Sequence, residues 1–187
     1  MSRLCAASLA VVLVAGSARA EAPGFAIDYD LLFEREAGAV QHPSPGVEHL
    51  ELPGPVIVER RGGRVRATDQ SGWGPAGCAL DRLVTAAAAV LSCPDLFSEA
   101  QRDRVAGQLL RGVAFFAANT VPAMDEAQAH RAMRAALARE RATLALSCAS
   151  RDAAPLAFAA HIAEDPSLRR FGRIFETPRL PVTAPCH

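Results

Sequence analysis

Residues 78–94 have the sequence CALDRLVTAAAAVLSCP, an apolar stretch with a cysteine near each end. Apolar residues recur at helical spacing, and Pro94 ends the pattern because the residue before a proline disfavours helical geometry. This predicts a helix over residues 78–92. Its cysteines would be roughly 22 Å apart by the helical rise, whereas a disulfide needs α-carbons within about 7 Å. Cys78 and Cys93 must therefore pair with other cysteines.

Three further helices are predicted downstream, because the sequence stays rich in Ala, Leu and Arg at helical spacing. Ser98 followed by Gln101 forms a capping box, in which each side chain satisfies an orphan backbone N–H, and Asp125 with Gln128 is a less typical version. Pro155 would lie in the first turn of the fourth helix, where proline is tolerated. We predict helices over residues 98–121, 125–148 and 153–163, and an extended tail from Glu176.

The short connections between these helices favour antiparallel neighbours. The third helix then returns to the end of the first, which places Cys148 beside Cys93, and a descending fourth helix lets Cys186 reach Cys78. We therefore predict the disulfides Cys93–Cys148 and Cys78–Cys186. The expected fold class is mainly α: a small disulfide-linked antiparallel helical bundle of three or four helices over residues 77–187, with an extended C-terminal tail.

Residues 21–76 differ from the rest because they are rich in proline and glycine. In this segment, residues 56–60 and 64–68 are expected to pair as a β-hairpin, since glycine tolerates the positive φ of a tight turn at Gly62 and Gly63. The remainder is predicted to be irregular. The segment is too small and too poor in apolar residues to fold alone.

Residues 1–20 have the features of a cleavable secretory signal peptide. Arg3 precedes an apolar run over residues 4–15, and Ala18-Arg19-Ala20 supplies small residues for a peptidase. A retained membrane anchor is the alternative, but the apolar run is shorter than the roughly 20 residues that a membrane span needs. Lipid anchoring would require a cysteine directly after the cleavage box, whereas Cys5 lies near the start.

Cleavage at residue 20 leaves an even four cysteines, which in an oxidising compartment indicates two disulfides. Free buried thiols and a metal site are the alternatives, but the cysteine spacings of 15, 55 and 38 residues contain no CxxC pair. All basic residues are arginine and alanine is abundant, as in GC-rich bacterial genomes. The expected location is therefore a bacterial periplasm or the exterior.

The composition argues against a nucleic-acid partner. Cleavage removes two arginines and no acid from a chain with 20 basic and 20 acidic residues, which leaves a formal net charge of −2. No P-loop, nucleophile elbow, zinc-protease or dinucleotide motif is present, so no cofactor is predicted. The expected partner is another envelope protein.

The candidate binding residues are Arg60, Arg61, Arg64 and Arg66, which form a positive patch at the hairpin suited to a carboxylate, a phosphate or an acidic protein. The alternative is an edge hairpin that its charges keep soluble. The glycine-rich stretch 72–77 precedes a helix and could cradle a phosphate, but it lacks a following Lys-Ser/Thr. A flexible entry with Trp73 in the core is expected instead. His161 with Glu164 offers half a metal site or an acid–base pair, against the alternative of an exposed helix end.

Three classes of function remain open from the sequence. The leading hypothesis is a non-enzymatic binding, inhibitor or accessory protein, because no catalytic motif is present. The alternatives are a hydrolase or other enzyme with dispersed site residues, His161 and Glu164 among them, and a structural or stress-related envelope protein.

The disulfide pairing gives a direct test of the predicted helix order. Peptide mapping of the unreduced protein by mass spectrometry is expected to find Cys78 joined to Cys186 and Cys93 joined to Cys148. A peptide that joins Cys78 to Cys148 would contradict the helix order.

Overall fold

The computed structural model describes residues 24–184 and 186, so the predicted signal peptide lies outside the described residues. The described chain is mainly helical and has one four-stranded antiparallel sheet of order β1-β2-β3-β4. None of its helices combines the length and the apolar character that a membrane span requires. Its helices are α1 (Tyr29–Arg35), α2 (Ala76–Ser92), α3 (Glu99–Asn119), α4 (Glu126–Leu144), α5 (Ala154–Ile162) and α6 (Asp165–Ile174), and its strands are β1 (Gln41–Ser44), β2 (Val47–Leu52), β3 (Val56–Arg61) and β4 (Arg64–Asp69).

Both predicted capping boxes are present. The Ser98 hydroxyl accepts the Gln101 N–H at 3.3 Å, and the Gln101 side chain accepts the Ser98 N–H at 3.0 Å. Asp125 and Gln128 exchange the same bonds at 2.7 Å. These bonds satisfy backbone donors that have no partner within the first turn, so they fix where α3 and α4 begin.

The prediction that the third helix extends to Cys148 is wrong. Ala145 adopts the left-handed conformation, with a φ of 41°, and α4 ends at Leu144. A residue in this conformation cannot continue a right-handed helix. Cys148 is therefore carried to its partner by irregular chain after the helix.

Helix α2 lies at the centre of the helical part, with most of its side chains buried. Gly112 of α3 faces Leu80 and Leu83 of α2. The Thr85 hydroxyl donates to Glu140 of α4 at 2.7 Å. The Cys93–Cys148 bridge joins the end of α2 to the chain that follows α4.

Two disulfides connect the two ends of α2 to later parts of the chain. Cys78 pairs with Cys186 and Cys93 pairs with Cys148, the pairs expected from the sequence, and the α-carbons are 5.4 Å apart in each bridge. The two bridges lie at opposite ends of α2, as the length of that helix requires.

The prediction of an irregular N-terminal segment is wrong outside the hairpin. The hairpin itself is present as β3 and β4, with Arg61 opposite Arg64 and a turn at Gly62 and Gly63. However, β1 and β2 extend it to a four-stranded sheet, and α1 precedes it. Asp28 caps α1 by accepting the Leu31 N–H at 2.9 Å. The prolines shorten these elements without abolishing them.

The sheet has its own apolar cluster, which the C-terminal tail completes. Leu50, Val56 and Val58 of the sheet are buried together with residues of α1. Leu180 and Val182 of the tail belong to the same cluster, and Val182 is fully buried. The N-terminal segment therefore gains part of its core from the other end of the chain.

The tail passes close to two glycines, one on each side. A β-carbon at Gly54 would collide with the Arg179 side chain, and one at Gly77 would collide with the backbone oxygen of Pro181. The Gly77 N–H also donates to the Val182 oxygen at 3.0 Å. Only glycine permits this close approach, so the tail is seated against both the β2–β3 turn and the start of α2.

An ion pair that is fully buried on both sides holds the tail in place. Arg179 Nε donates to Asp69 Oδ2 at 2.7 Å, and both side chains have no exposed area. The same guanidinium donates to the backbone oxygens of Ile174 at 2.8 Å and Gly74 at 3.1 Å. Arg179 thus links the end of β4, the loop before α2 and the end of α6.

Helix α6 was not predicted from the sequence. Residues 165–174 form a helix with Pro166 in its first turn, where the ring is tolerated. Phe171 and Ile174 are buried in the helical core, and the arginines between and around them are exposed. The extended tail predicted from Glu176 therefore follows directly after α6.

Breaking the buried pair is expected to destabilise the protein strongly. Arg179→Met leaves the Asp69 carboxylate buried without its partner, which costs about 3 to 5 kcal/mol of unfolding free energy. Arg179→Lys keeps the charge but loses the planar donor set, so it should fall between Met and wild type. Urea denaturation followed by circular dichroism measures all three proteins.

Arg66→Met is the matched control because Arg66 is exposed on β4. We expect it to change the unfolding free energy by no more than about 0.5 kcal/mol. Equal losses for Arg179→Met and Arg66→Met would contradict the assigned role of the buried pair.

Candidate functional site

Of the four hairpin arginines, Arg60 has a structural role. Its guanidinium donates to Glu48 on β2 and to Asp30 on α1, both at 2.9 Å, and it lies 4.2 Å from the centre of the Phe33 ring. The hydrogen bonds from Arg60 lower the pKa of Glu48. Arg60 therefore fastens α1 to the inner face of the sheet and is not available for a ligand.

The other three arginines, Arg61, Arg64 and Arg66, are exposed on the outer face of the sheet. They share this face with acidic side chains: Arg66 is opposite Glu59, and Glu59 also contacts His49 at 3.3 Å. No pocket described below includes them. This face therefore has mixed charge.

His161 and Glu164 do not form a site of their own. Their side chains are 66% and 63% exposed, and His161 Nδ1 is 3.8 Å from Glu164 Oε2. Neither residue lines any of the three pockets described below. The arrangement corresponds to the exposed helix end that the sequence offered as the alternative.

The strongest candidate site is a pocket of about 220 Å³ where the loop before α2 meets α6. Its floor is apolar, formed by Ala79 of α2 with Phe171 and Ile174 of α6, and its rim carries Arg82 and Arg170. None of the described residues that line it has a carboxylate. We call it the arginine–tryptophan pocket, and its lining is Trp73, Gly74, Pro75, Cys78, Ala79, Arg82, Arg170, Phe171 and Ile174.

Trp73 forms one wall of this pocket, and the expectation that it lies in the core is wrong. Its side chain is 45% exposed. The loop that presents it is held from both sides: Asp69 accepts the Ser71 N–H at 2.8 Å, and Arg179 donates to the Gly74 oxygen at 3.1 Å. The buried ion pair therefore fixes the position of an exposed indole.

The rim of the pocket is positively charged. Arg82 and Arg170 are exposed, and neither forms an ion pair with any carboxylate whose side chain the structure describes. Arg173, one turn after Arg170, lies over the Trp73 ring at 5.3 Å from its centre. Guanidinium groups recognise carboxylates and phosphates through paired hydrogen bonds, so the pocket suits an anionic group attached to an apolar one.

A larger groove of about 670 Å³ runs beside α4. It is lined mainly by small or apolar residues from the segments 24–28 and 121–124, and its charged residues, Asp28 and Arg131, have opposite signs. Although this groove has a larger volume than the arginine–tryptophan pocket, its lining favours no particular kind of ligand. The arginine–tryptophan pocket is the more specific site.

A third cleft of about 410 Å³ lies between α2 and α4 and contains two carboxyl groups. Part of the Asp81 side chain is exposed, but its carboxyl group is partly desolvated in the cleft. This desolvation raises the pKa of Asp81, and the nearby charge of Glu140 raises it further. Glu140 also accepts the Thr85 hydroxyl. Within the described part of the chain, no group of three or more His, Cys, Asp and Glu side chains is arranged to hold a metal ion.

Comparison of the chain with protein-family models, curated proteins and solved structures gave no match. The geometry and chemistry of the pocket are therefore the basis for the proposed function.

The sequence contains a signal for the α6 side of this pocket. Ser167, Phe171 and Ile174 follow helical spacing, Arg169 and Arg173 lie on the other side of the helix, and Arg170 lies at the border between the two faces. This pattern predicts an amphipathic helix with a basic face. Arg82 carries no such signal, because a single arginine on a helix is common.

The cleft between α2 and α4 gives a prediction about pH. Because the folded protein raises the pKa of Asp81 above 3.8, ionisation of Asp81 lowers stability at pH 7. Asp81→Asn is therefore expected to stabilise the protein at pH 7. The gain should disappear as the pH falls below 3.8, where the carboxyl is protonated in both the folded and the unfolded state.

Asp103→Asn, at an exposed position on α3, is the control and should give no comparable pH-dependent gain. Denaturation at pH 7 and at low pH measures both variants. If Asp81→Asn were less stable than wild type at pH 7, the burial assigned to this carboxyl would be wrong.

Proposed function

We propose that this protein is an exported, non-enzymatic binding protein that holds an anionic ligand in the arginine–tryptophan pocket. The ligand's charged group lies between Arg82 and Arg170, and its apolar part lies on Ile174 and Phe171 against the Trp73 ring. The observation that carries the proposal is the combination of an apolar floor, a half-exposed indole and two rim arginines that pair with none of the described carboxylates.

The charge of the pocket supports this ligand class. Its rim concentrates positive charge in a chain whose acidic and basic residues are equal in number. A carboxylate or phosphate would replace water at the two guanidinium groups with charge-assisted hydrogen bonds, which are about twice as strong as neutral ones. The apolar floor would add the usual gain from removing hydrocarbon surface from water.

The rigidity of the pocket walls also supports a binding role. The Trp73 loop is fixed by the Arg179–Asp69 pair, and Cys78 on the pocket wall is held by its bridge to Cys186. A wall that is already ordered loses little conformational entropy on binding, which favours affinity. The disulfide-linked antiparallel helical bundle expected from the sequence is part of this proposal, as the body that carries the pocket.

Export to a periplasm or to the exterior is the remaining part of the proposal. Two disulfides are compatible with an oxidising compartment, where such bonds persist. The signal-peptide features of residues 1–20 and the arginine-only basic composition support the same location in a bacterium.

Trp73 is the sole tryptophan of the chain, so its fluorescence reports on the pocket directly. Titration with sodium hexanoate is expected to change the Trp73 emission saturably, with a dissociation constant on the order of 1 mM. Arg82→Met and Arg170→Met should each weaken this binding roughly fivefold, because each removes one charged contact. Arg66→Met, away from the pocket, is the matched control and should bind as wild type does.

The neutral analogue 1-hexanol separates anion recognition from simple burial of hydrocarbon. If hexanol and hexanoate changed the emission with equal affinity, the arginines would have no role in recognition. If hexanoate gave no saturable change up to about ten times the expected dissociation constant, the proposed function would be wrong.

A further inference from the structure

The positive charge around the arginine–tryptophan pocket extends well beyond the residues that line it. Arg169 and Arg173 of α6 and Arg111 of α3 are exposed, and none of them pairs with a carboxylate of the described residues. A single small anion can neutralise Arg82 and Arg170 only. The outer arginines therefore indicate a ligand that carries several negative charges and is larger than the pocket.

These arginines lie on one continuous surface. Arg169, Arg170 and Arg173 occupy positions i, i+1 and i+4 of α6, which share one side of a helix. Arg111 reaches the same helix from α3: its guanidinium lies 3.3 Å from the place where a β-carbon at Gly172 would be. The absence of a side chain at Gly172 leaves room for Arg111 beside α6.

An anionic membrane surface would satisfy the charge, but the apolar residues of α6 argue against it. Helices that bind membranes place their apolar face in the lipid. Here the apolar face of α6 is already used, because Phe171 and Ile174 are only 7% and 5% exposed in the protein core. The exposed apolar surface at this site is the Trp73 ring beside a recess, which suits a side chain that enters it.

We propose that the natural ligand is an acidic segment of another protein, from which one apolar side chain enters the arginine–tryptophan pocket while flanking carboxylates pair with Arg111, Arg169 and Arg173. This inference rests on the proposed function, since it names the ligand of the same pocket. A recess of about 220 Å³ holds one aliphatic side chain, and the arginines at its rim and along the exposed side of α6 set the charge of the neighbouring residues.

The two kinds of contact have different roles in this interaction. The buried apolar side chain is the anchor, because residues in fully desolvated pockets carry most of the energy of an interface. The exposed arginines each contribute little affinity, but together they attract an acidic partner and reject a basic one. Binding should therefore depend on both the central side chain and the salt concentration.

The test uses a defined probe, an acetylated and amidated pentapeptide with leucine at the centre and glutamate at the other positions. The probe has no aromatic residue, so Trp73 fluorescence of the whole protein reports its binding. We expect it to bind at least roughly tenfold more tightly than hexanoate. Its affinity should fall steeply between about 50 mM and 500 mM salt, as screening of exposed charges requires.

Two control peptides and one variant separate the contributions. Replacing the glutamates by glutamine, or the central leucine by serine, should each weaken binding about tenfold or more. The double variant Arg111→Met with Arg169→Met should weaken peptide binding roughly fivefold, and by more than any loss in its hexanoate affinity. Unchanged circular dichroism and urea midpoint verify that this variant is folded.

The outcomes distinguish this inference from the proposed function. If hexanoate binds and the glutamate peptide binds no more tightly, the inference fails and the pocket remains a site for small anions. A second experiment mixes the protein with vesicles of phosphatidylcholine and phosphatidylglycerol. If the protein sediments with the vesicles and the peptide does not displace it, the ligand is a membrane and the inference is wrong. If neither hexanoate nor the peptide binds, both proposals fail.

Discussion

The buried ion pair between Arg179 and Asp69 is the contact on which the relation between the sheet and the helices depends. Asp69 ends the last strand, and Arg179 belongs to the tail that follows the last helix. Taking two charges out of water is costly, and this cost is offset only when their remaining hydrogen bonds are made. Arg179 meets this condition, since it also donates to the backbone oxygens of Gly74, Ile174 and Thr177.

The same pair connects the stability of the fold to the candidate site. Asp69 and Arg179 each hold one side of the loop that presents Trp73, and the tail that carries Arg179 continues to Cys186, whose partner Cys78 lines the pocket. An exposed indole on an unsupported glycine-rich loop would sample many positions. Here it is part of a fixed wall, beside the arginines of α2 and α6 that line the same pocket.

Local signals in the sequence were sufficient for the elements whose causes are local. The two capping boxes, the glycine turn between β3 and β4 and the proline after α2 each act within a few residues, and the helix order that they imply gave the disulfide pairs. The pocket depends on contacts between distant residues. Asp69 and Arg179 are 110 residues apart, and nothing in their surroundings marks them as a buried pair.

Other misses have similar physical causes. Proline-rich sequence suggested irregular chain, but short strands can form between prolines when an apolar cluster from α1 and the tail covers the sheet. Trp73 was expected in the core because large aromatic side chains are usually buried. The hairpin arginines were noticed because they are close in sequence, whereas the arginines of the pocket come from α2 and α6 and are close only in space.

The most direct test of this account is a crystal structure of the protein with its anionic ligand bound. The account predicts the negatively charged group within hydrogen-bonding distance of Arg82 and Arg170, the apolar group against Trp73 and Ile174, and the Arg179–Asp69 pair intact beneath the loop. A ligand bound instead in the groove beside α4, or in the cleft of Asp81 and Glu140, with the arginine–tryptophan pocket filled only by water, would contradict it.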